Sequence, residues 1–367
     1  MSPLLNTRLA VLCAAALLLL APAVEAVEHN DKHRPQPQAR PKAKAALSGQ
    51  PAGAPVYGPS DAVRALAADM AERRGLDTAW VVKQLAQARR IDSVQKLMMP
   101  ARMGTAKDWG AYHDRFVEPR RIGAGAAFWQ ANMAALQRAE ERFGVPPEII
   151  VGILGVETYY GRLTGGFRVI DALATLSFDF PGGRTDRSAF FRSELEEFLV
   201  LCARERSDPQ LQRGSFAGAI GLAQFMPGSI NRYAIDFDGD GRVDLGASAS
   251  DAIGSIANYL AQFGWQRGMA THYPVTPPPE GNGRTALLAP DILPSFSATQ
   301  FGEHGALLAE AGRAHSGALA LVALQNGERE TSYVAGTQNF YAITRYNWSS
   351  YYAMAVITLG EAVKQSR

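Results

Sequence analysis

Cysteine is nearly absent from this chain, which has only Cys13 and Cys202. Cys13 lies in an N-terminal apolar run, so a processed, exported form would keep one thiol and no internal disulfide. Its stability must then come from a packed core. The six histidines, at 29, 33, 113, 272, 304 and 315, have no zinc-ligand spacing. An excess of one charge is missing too: 37 Lys and Arg face 35 Asp and Glu. That balance gives no basic field for nucleic acid, and it neither supports nor excludes an anionic polymer as partner. The sequence contains no Gly-rich phosphate loop, no marked serine or cysteine nucleophile, and no internal repeat.

At 367 residues, 47% hydrophobic and 20% charged, the chain can bury a full core in one large or two modest domains. Arg8 precedes an apolar run from Leu9 to Leu20, followed by small residues up to Val24-Glu25-Ala26. This reads as a secretory signal over 1–26, with an exported, periplasmic product. The run is short of the roughly 20 residues of a membrane span; an uncleaved anchor is the alternative. Cys13 follows Leu12 and not a small residue, so no lipoprotein site is read. Residues 27–55, rich in Pro, Ala, Lys and Gln, cannot offset their ordering entropy and read as a disordered tether.

Ordered sequence is expected from about Val56. Ser60 or Asp61 caps a helix carrying Val63, Leu66 and Met70, closed by Gly75, and Asp77 caps the next. One helix is expected from Gly125 through Phe143, ended by Gly144, and a buried one over Pro146–Gly155. Others are expected over Ser188–Glu205, Ala217–Phe225, Asp251–Phe263 and Ser350–Val363. Prolines and glycines break the texture over 273–336. There the run Leu319–Leu324 ahead of Asn326-Gly327 signals a hairpin in a small β-rich insertion. The helical region is thus 56–272 and 337–367, and the fold class α+β, mainly α.

Three features carry chemistry. Glu157 ends an apolar run in Gly155-Val156-Glu157-Thr158-Tyr159-Tyr160-Gly161. Desolvation favours the neutral carboxyl and raises its pKa, as a general acid on a glycosidic oxygen requires. A structural glutamate paired to Arg162 or Arg187 fits the same position, and burial alone does not choose. In Ser215–Pro227, glycines at 214, 218 and 221 admit a close backbone or ligand, and Gln224 offers a donor and an acceptor for sugar groups; tight helix packing is the plainer alternative. Asp236, Asp238 and Asp240, with Gly241 sixth and the Arg242 carbonyl seventh, match the opening of a calcium-binding EF-hand loop. Ala247 stands twelfth where a glutamate is expected, and Asp251 is the next carboxylate. A solvated acidic turn is the alternative. Tyr112, Tyr159, Tyr259, Tyr341 and Tyr346 suit stacking on sugar faces, though such a residue taken singly is more often core than ligand contact.

In their order, Gly155-Val156-Glu157-Thr158, Asp171–Leu176, Ser215–Pro227, the Asp236 loop and Asn339-Phe340-Tyr341-Ala342-Ile343-Thr344-Arg345-Tyr346-Asn347 resemble the membrane-bound lytic murein transglycosylase B family. The resemblance runs from about Val56 to Arg367. It implies a lysozyme-like helical fold that cleaves the β-1,4 bond from N-acetylmuramic acid to N-acetylglucosamine without water. Glu157 would be the single acid/base, leaving 1,6-anhydromuramyl ends. It also implies that Arg187 binds a peptide or lactyl carboxylate. Ser215, Gln224, Tyr259 and Asn339, with Tyr112, Tyr341 and Tyr346, would line the glycan groove. Catalysis would need no cofactor; a structural calcium would be held by Asp236, Asp238, Asp240, Arg242 and Asp251. The segment before Asp251 is one residue longer than in the family. The implied partners are peptidoglycan strands and cell-wall synthesis proteins, with a monomeric enzyme. The rival expectations are a muramidase that uses water and a calcium-dependent glycan-binding scaffold without catalysis.

Overall fold

The computed structural model describes residues 53–99, 107–183 and 185–367, so the expected signal and most of the tether lie outside the described residues. Ala54 already packs against the core, and the Pro55 carbonyl accepts from the Arg90 N–H at 2.9 Å. Packing against the core is thus already present two residues before Val56.

Helix α1 spans Asp61–Arg74; the Ser60 side chain accepts from the Val63 N–H and Gly75, at φ 66°, closes it. Helix α2, Thr78–Ala86, is capped by Asp77 as expected. Two short helices went unread, α3 (Asp92–Met98) and α4 (Trp109–Phe116). The single helix expected through Phe143 is two, α5 (Pro119–Ala131) and α6 (Met133–Phe143). They part at Asn132, whose amide donates to the Phe128 carbonyl at 2.8 Å and so competes with the helical ladder.

Helix α7, Pro147–Thr158, runs three residues beyond the expected end and is buried on nearly every side. Strand β1 (Phe167–Arg168) and helix α8 (Val169–Phe178) follow. Helix α9 is Ser188–Glu205, as read from sequence; β2 (Arg213–Gly214) then pairs antiparallel with β1. The expected helix over Ala217–Phe225 does not form: Gly218, Gly221 and Gln224 have φ of 87°, 74° and 48°. An Ile220–Phe225 bridge closes the segment as a turn instead. Helices α10 (Pro227–Tyr233) and α11 (Ala249–Gln262) flank the aspartate loop.

The insertion holds strands β3 (His272–Thr276), β4 (Leu307–Leu308), β5 (Ala320–Asn326) and β6 (Arg329–Gly336), ordered β4-β3-β6-β5 and antiparallel. Gly327, at φ 66°, turns the β5–β6 hairpin. Three short helices interleave: α12 (Asn282–Leu288), α13 (Ala298–Glu303) and α14 (Glu310–Arg313). The insertion is therefore mixed α and β. It has its own apolar cluster around Leu287, Phe301, Leu319 and Leu321. Helices α15 (Gln338–Thr344) and α16 (Ser350–Gln365) end the chain.

The helix pair α7 and α16 positions the site. A Cβ on Gly152 would come 2.2 Å from the Val356 carbonyl oxygen, and one on Gly360 would come 2.1 Å from that of Glu148. Only glycine lets the two backbones lie so close. Around this contact Ile150, Ile153, Leu154, Val356 and Leu359 are fully buried, each contributing about 2 kcal/mol.

Candidate active site

Glu157 sits in the last turn of α7, 8% exposed. Burial pushes its carboxyl up to about 8, against a smaller opposing effect of a hydrogen bond from Tyr352. The Tyr352 hydroxyl, in the first turn of α16, donates to Glu157 Oε1 at 2.7 Å. Glu157 thus has a phenol as its partner, not the arginine of the structural alternative. Arg162 stacks 4.9 Å from the Tyr159 ring centroid, and Arg121 lies 4.7 Å from the same ring while donating to the Gly155 carbonyl.

Tyr112, Tyr259, Tyr346 and Tyr352 face the carboxyl electrostatically, and burial raises all four phenols. They come from α4, α11, the turn after α15, and α16. Tyr112 is half-buried among Trp109, Phe116 and Tyr351. Tyr259 and Tyr346 are buried supports: Tyr259 donates to the Arg345 carbonyl at 2.6 Å and Tyr346 to the Ala223 carbonyl at 2.5 Å. Tyr352 was missed from sequence. It lies 195 residues from its partner, and its only sequence signal was a place on a helix expected at 350–363.

The 215–225 turn reaches the end of α7 through the Thr158 hydroxyl, which donates to the Leu222 carbonyl at 2.9 Å. Ser215 is 1% exposed, and its Oγ accepts from the Ala217 and Ala219 N–H groups, so it shapes the turn from within. Gln224 is 3% exposed; its Nε2 donates to the Gly221 and Thr164 carbonyls, while Oε1 is buried without a partner among the described residues. A buried acceptor left open in this way calls for a donor from water or a ligand.

The other expected groove residues lie elsewhere. Asn339 is fully buried, accepting from the Gln266 N–H and donating to the Gln266 and Met269 carbonyls. It clamps the backbone after α11 and presents no free amide to a groove. Tyr341 is half-buried beside Trp348 and Arg345. Arg187 precedes α9 with its guanidinium 4.8 Å from the Phe190 ring centroid.

In the acidic loop, Asp236, Asp238 and Asp251 each bring one oxygen to within 4.8 Å of the others. That spacing suits a hard cation with oxygen ligands at roughly 2.3–2.6 Å. Asp251 is 1% exposed and accepts from the N–H groups of Phe237, Asp238 and Asp244, so it also organises the loop itself. Asp240 is exposed and accepts from the Arg242 N–H, outside that trio. The loop meets the site through the Leu222 N–H, which donates to the Leu245 carbonyl at 2.7 Å.

Residues 59–361 match the transglycosylase SLT domain family. The chain is 40% identical over 306 residues to the membrane-bound lytic murein transglycosylase B of Escherichia coli (strain K12), covering 81% of each. It is similar to the structure of the Escherichia coli lytic transglycosylase Slt35 in complex with calcium, at 38% identity and TM-score 0.71, covering 90% of this chain and 99% of that one. It is also similar to Pseudomonas aeruginosa SltB3 in complex with NAG-NAM-pentapeptide, at 28% identity and TM-score 0.68, covering 82% and 78%. On that match the chain belongs to the lytic murein transglycosylases, mainly helical, lysozyme-like enzymes that act on peptidoglycan.

Proposed function

We propose that Glu157 is the sole acid/base of this lytic transglycosylase and that it cuts the β-1,4 bond between N-acetylmuramic acid and N-acetylglucosamine. The neutral carboxyl gives its proton to the glycosidic oxygen as the bond to the muramyl C1 breaks, releasing the next sugar as an alcohol. The resulting carboxylate takes the proton of the muramyl 6-hydroxyl, whose oxygen closes on C1. The product is a 1,6-anhydro ring, no water is consumed, and Glu157 returns to its neutral form. One observation carries the reading: Glu157 is buried, held up to about 8, and, among the described residues, faced by tyrosines and not by a second carboxylate. Glycoside hydrolysis ordinarily needs that second carboxylate, whereas an internal hydroxyl is already in place.

Gln224 and Tyr112 are the best-supported glycan contacts, the first through its open Oε1 and the second through its half-exposed ring. Arg187 and Tyr341 extend the surface toward the peptide stem, while Ser215, Tyr259, Asn339 and Tyr346 act from behind it. A structural calcium at Asp236, Asp238 and Asp251, completed by Asp240 and the Arg242 carbonyl, would tie the loop ends; it supplies no step of the reaction. The enzyme works as a periplasmic monomer on glycan strands, alongside wall-synthesis proteins. Among the described residues no helix is long and apolar enough to cross a membrane.

Mass spectrometry of muropeptides released from purified sacculi tests the reaction. Anhydromuramyl ends, lighter by one water, support it. Reducing ends would mean hydrolysis and a second carboxylate, and no release would favour the binding scaffold.

A further inference from the structure

A neutral carboxyl has one protonated oxygen and one carbonyl oxygen, and in an acid/base the difference matters. A phenol donates one hydrogen bond, so it can occupy one of those oxygens and no more. Of the four tyrosines facing Glu157, Tyr259 and Tyr346 have their hydroxyls on backbone carbonyls. Among the described residues, Tyr352 is the one that donates to the carboxyl, at Oε1.

Tyr352 is held where it stands. It is 1% exposed, its N–H is capped by Ser349 Oγ at 3.3 Å, and its ring lies parallel to that of Tyr346, 14° between planes and 6.3 Å between centroids. The glycine contacts of α7 and α16 fix the two helices that carry the pair. We infer that Tyr352 is a positioning residue that divides the labour of the Glu157 carboxyl. Oε1 stays an acceptor throughout, and Oε2 carries the proton to the glycosidic oxygen and back from the sugar hydroxyl. This rests on Glu157 being the acid/base. In the neutral acid the donor on Oε1 leaves the proton on Oε2; in the carboxylate the same donor steadies the charge while Oε2 stays open to the sugar.

The charged and titratable groups on the elements packed against the pair include His113 and Arg115 of α4, Arg121 of α5, and Glu361 and Lys364 of α16. Tyr112, Tyr259, Tyr346 and Tyr352 are all raised by burial. From α5, Arg121 approaches at the Gly155 carbonyl, and Lys364 of α16 pairs with Glu148 at the opposite end of α7. Among these groups the Tyr352 hydroxyl bonds Glu157, so a limb that differs between the parent and a Tyr352 variant reports that carboxyl.

Tyr352→Phe keeps the ring and removes the donor. It is expected to lower kcat about tenfold with KM within about twofold. It should also move the alkaline limb of kcat/KM up by about one pH unit, since the lost bond favoured the charged form. Tyr346→Phe, which frees only the Ala223 carbonyl, should leave that limb in place. Should Tyr352→Phe not fold, 3-fluorotyrosine introduced at 352 gives a stronger donor of nearly the same size and should move the limb down. A limb unmoved by either substitution, whatever the rate or Tm, would overturn the inference and leave Tyr352 a packing residue. Product analysis separates the two readings. Reducing ends from the unaltered enzyme would remove the acid/base scheme regardless of how Tyr352 behaves.

Discussion

The Thr158 hydroxyl, one residue past Glu157, donates to the Leu222 carbonyl at 2.9 Å and so fastens α7 to the glycine-rich turn. Both ends are buried. Thr158→Val should leave that carbonyl unpaired and cost about 1–3 kcal/mol in chemical denaturation. Because the turn also carries Gln224, KM should rise more than kcat falls. Unchanged stability and KM would mean the turn is held by its other contacts alone.

Glu157→Gln keeps the shape and removes the transferable proton. Turnover of sacculi should drop by about a thousandfold or more, with the fold and glycan binding intact. A variant within about tenfold of the parent would displace Glu157 from the reaction.

The raised carboxyl also ties stability to pH. The folded form holds its proton up to about 8, whereas the unfolded chain loses it near the ordinary glutamate value. This contribution to stability is full below the unfolded pKa and is lost as pH rises toward 8. Tm should therefore decline between pH 5 and pH 8 (approximate limits, from the two pKa values), and Glu157→Gln should flatten that decline. Equal slopes in parent and variant would contradict it.

Calcium should act on the loop and not on the chemistry. Differential scanning fluorimetry is expected to show a higher Tm in calcium than in chelator, and Asp238→Asn should shrink the difference. Asp251→Asn should destabilise in both conditions, because Asp251 also holds three backbone N–H groups. A parent with the same Tm in both conditions would argue for a plain acidic turn.

Gly152→Ala tests the helix contact. A methyl 2.2 Å from the Val356 carbonyl oxygen must push α16 away, costing about 1–3 kcal/mol. Activity should fall with it, since Glu157 and Tyr352 ride on the two helices. Wild-type stability by denaturant titration would show that the helices can part freely.

Much of this was legible in the residues because local rules decided it. Ser60 and Asp77 cap helices by short-range bonding, and Asn326-Gly327 supplies the positive φ that a hairpin needs. The apolar run before Glu157 foretold its desolvation. The reading of Ala217–Phe225 as a helix fails because Gly218 and Gly221 look, in sequence, like small helix-packing positions, and nothing in the letter of Gln224 announces its positive φ. Asn132 broke a helix through a side-chain bond that periodicity does not register. Asn339 looked like a sugar contact because a polar motif residue and a backbone clamp are the same letter. Tyr352 depended wholly on tertiary packing.

The bond from Tyr352 to Glu157 joins residues 195 positions apart, and it forms only when α16 lies against α7. Contacts of such separation are costly in chain entropy and form late in folding. A chain made only as far as α15 therefore has Glu157 without the phenol that bonds it. The pairing of Glu157 with Tyr352 is thus a late product of assembly, present once α7 and α16 have both been made and packed.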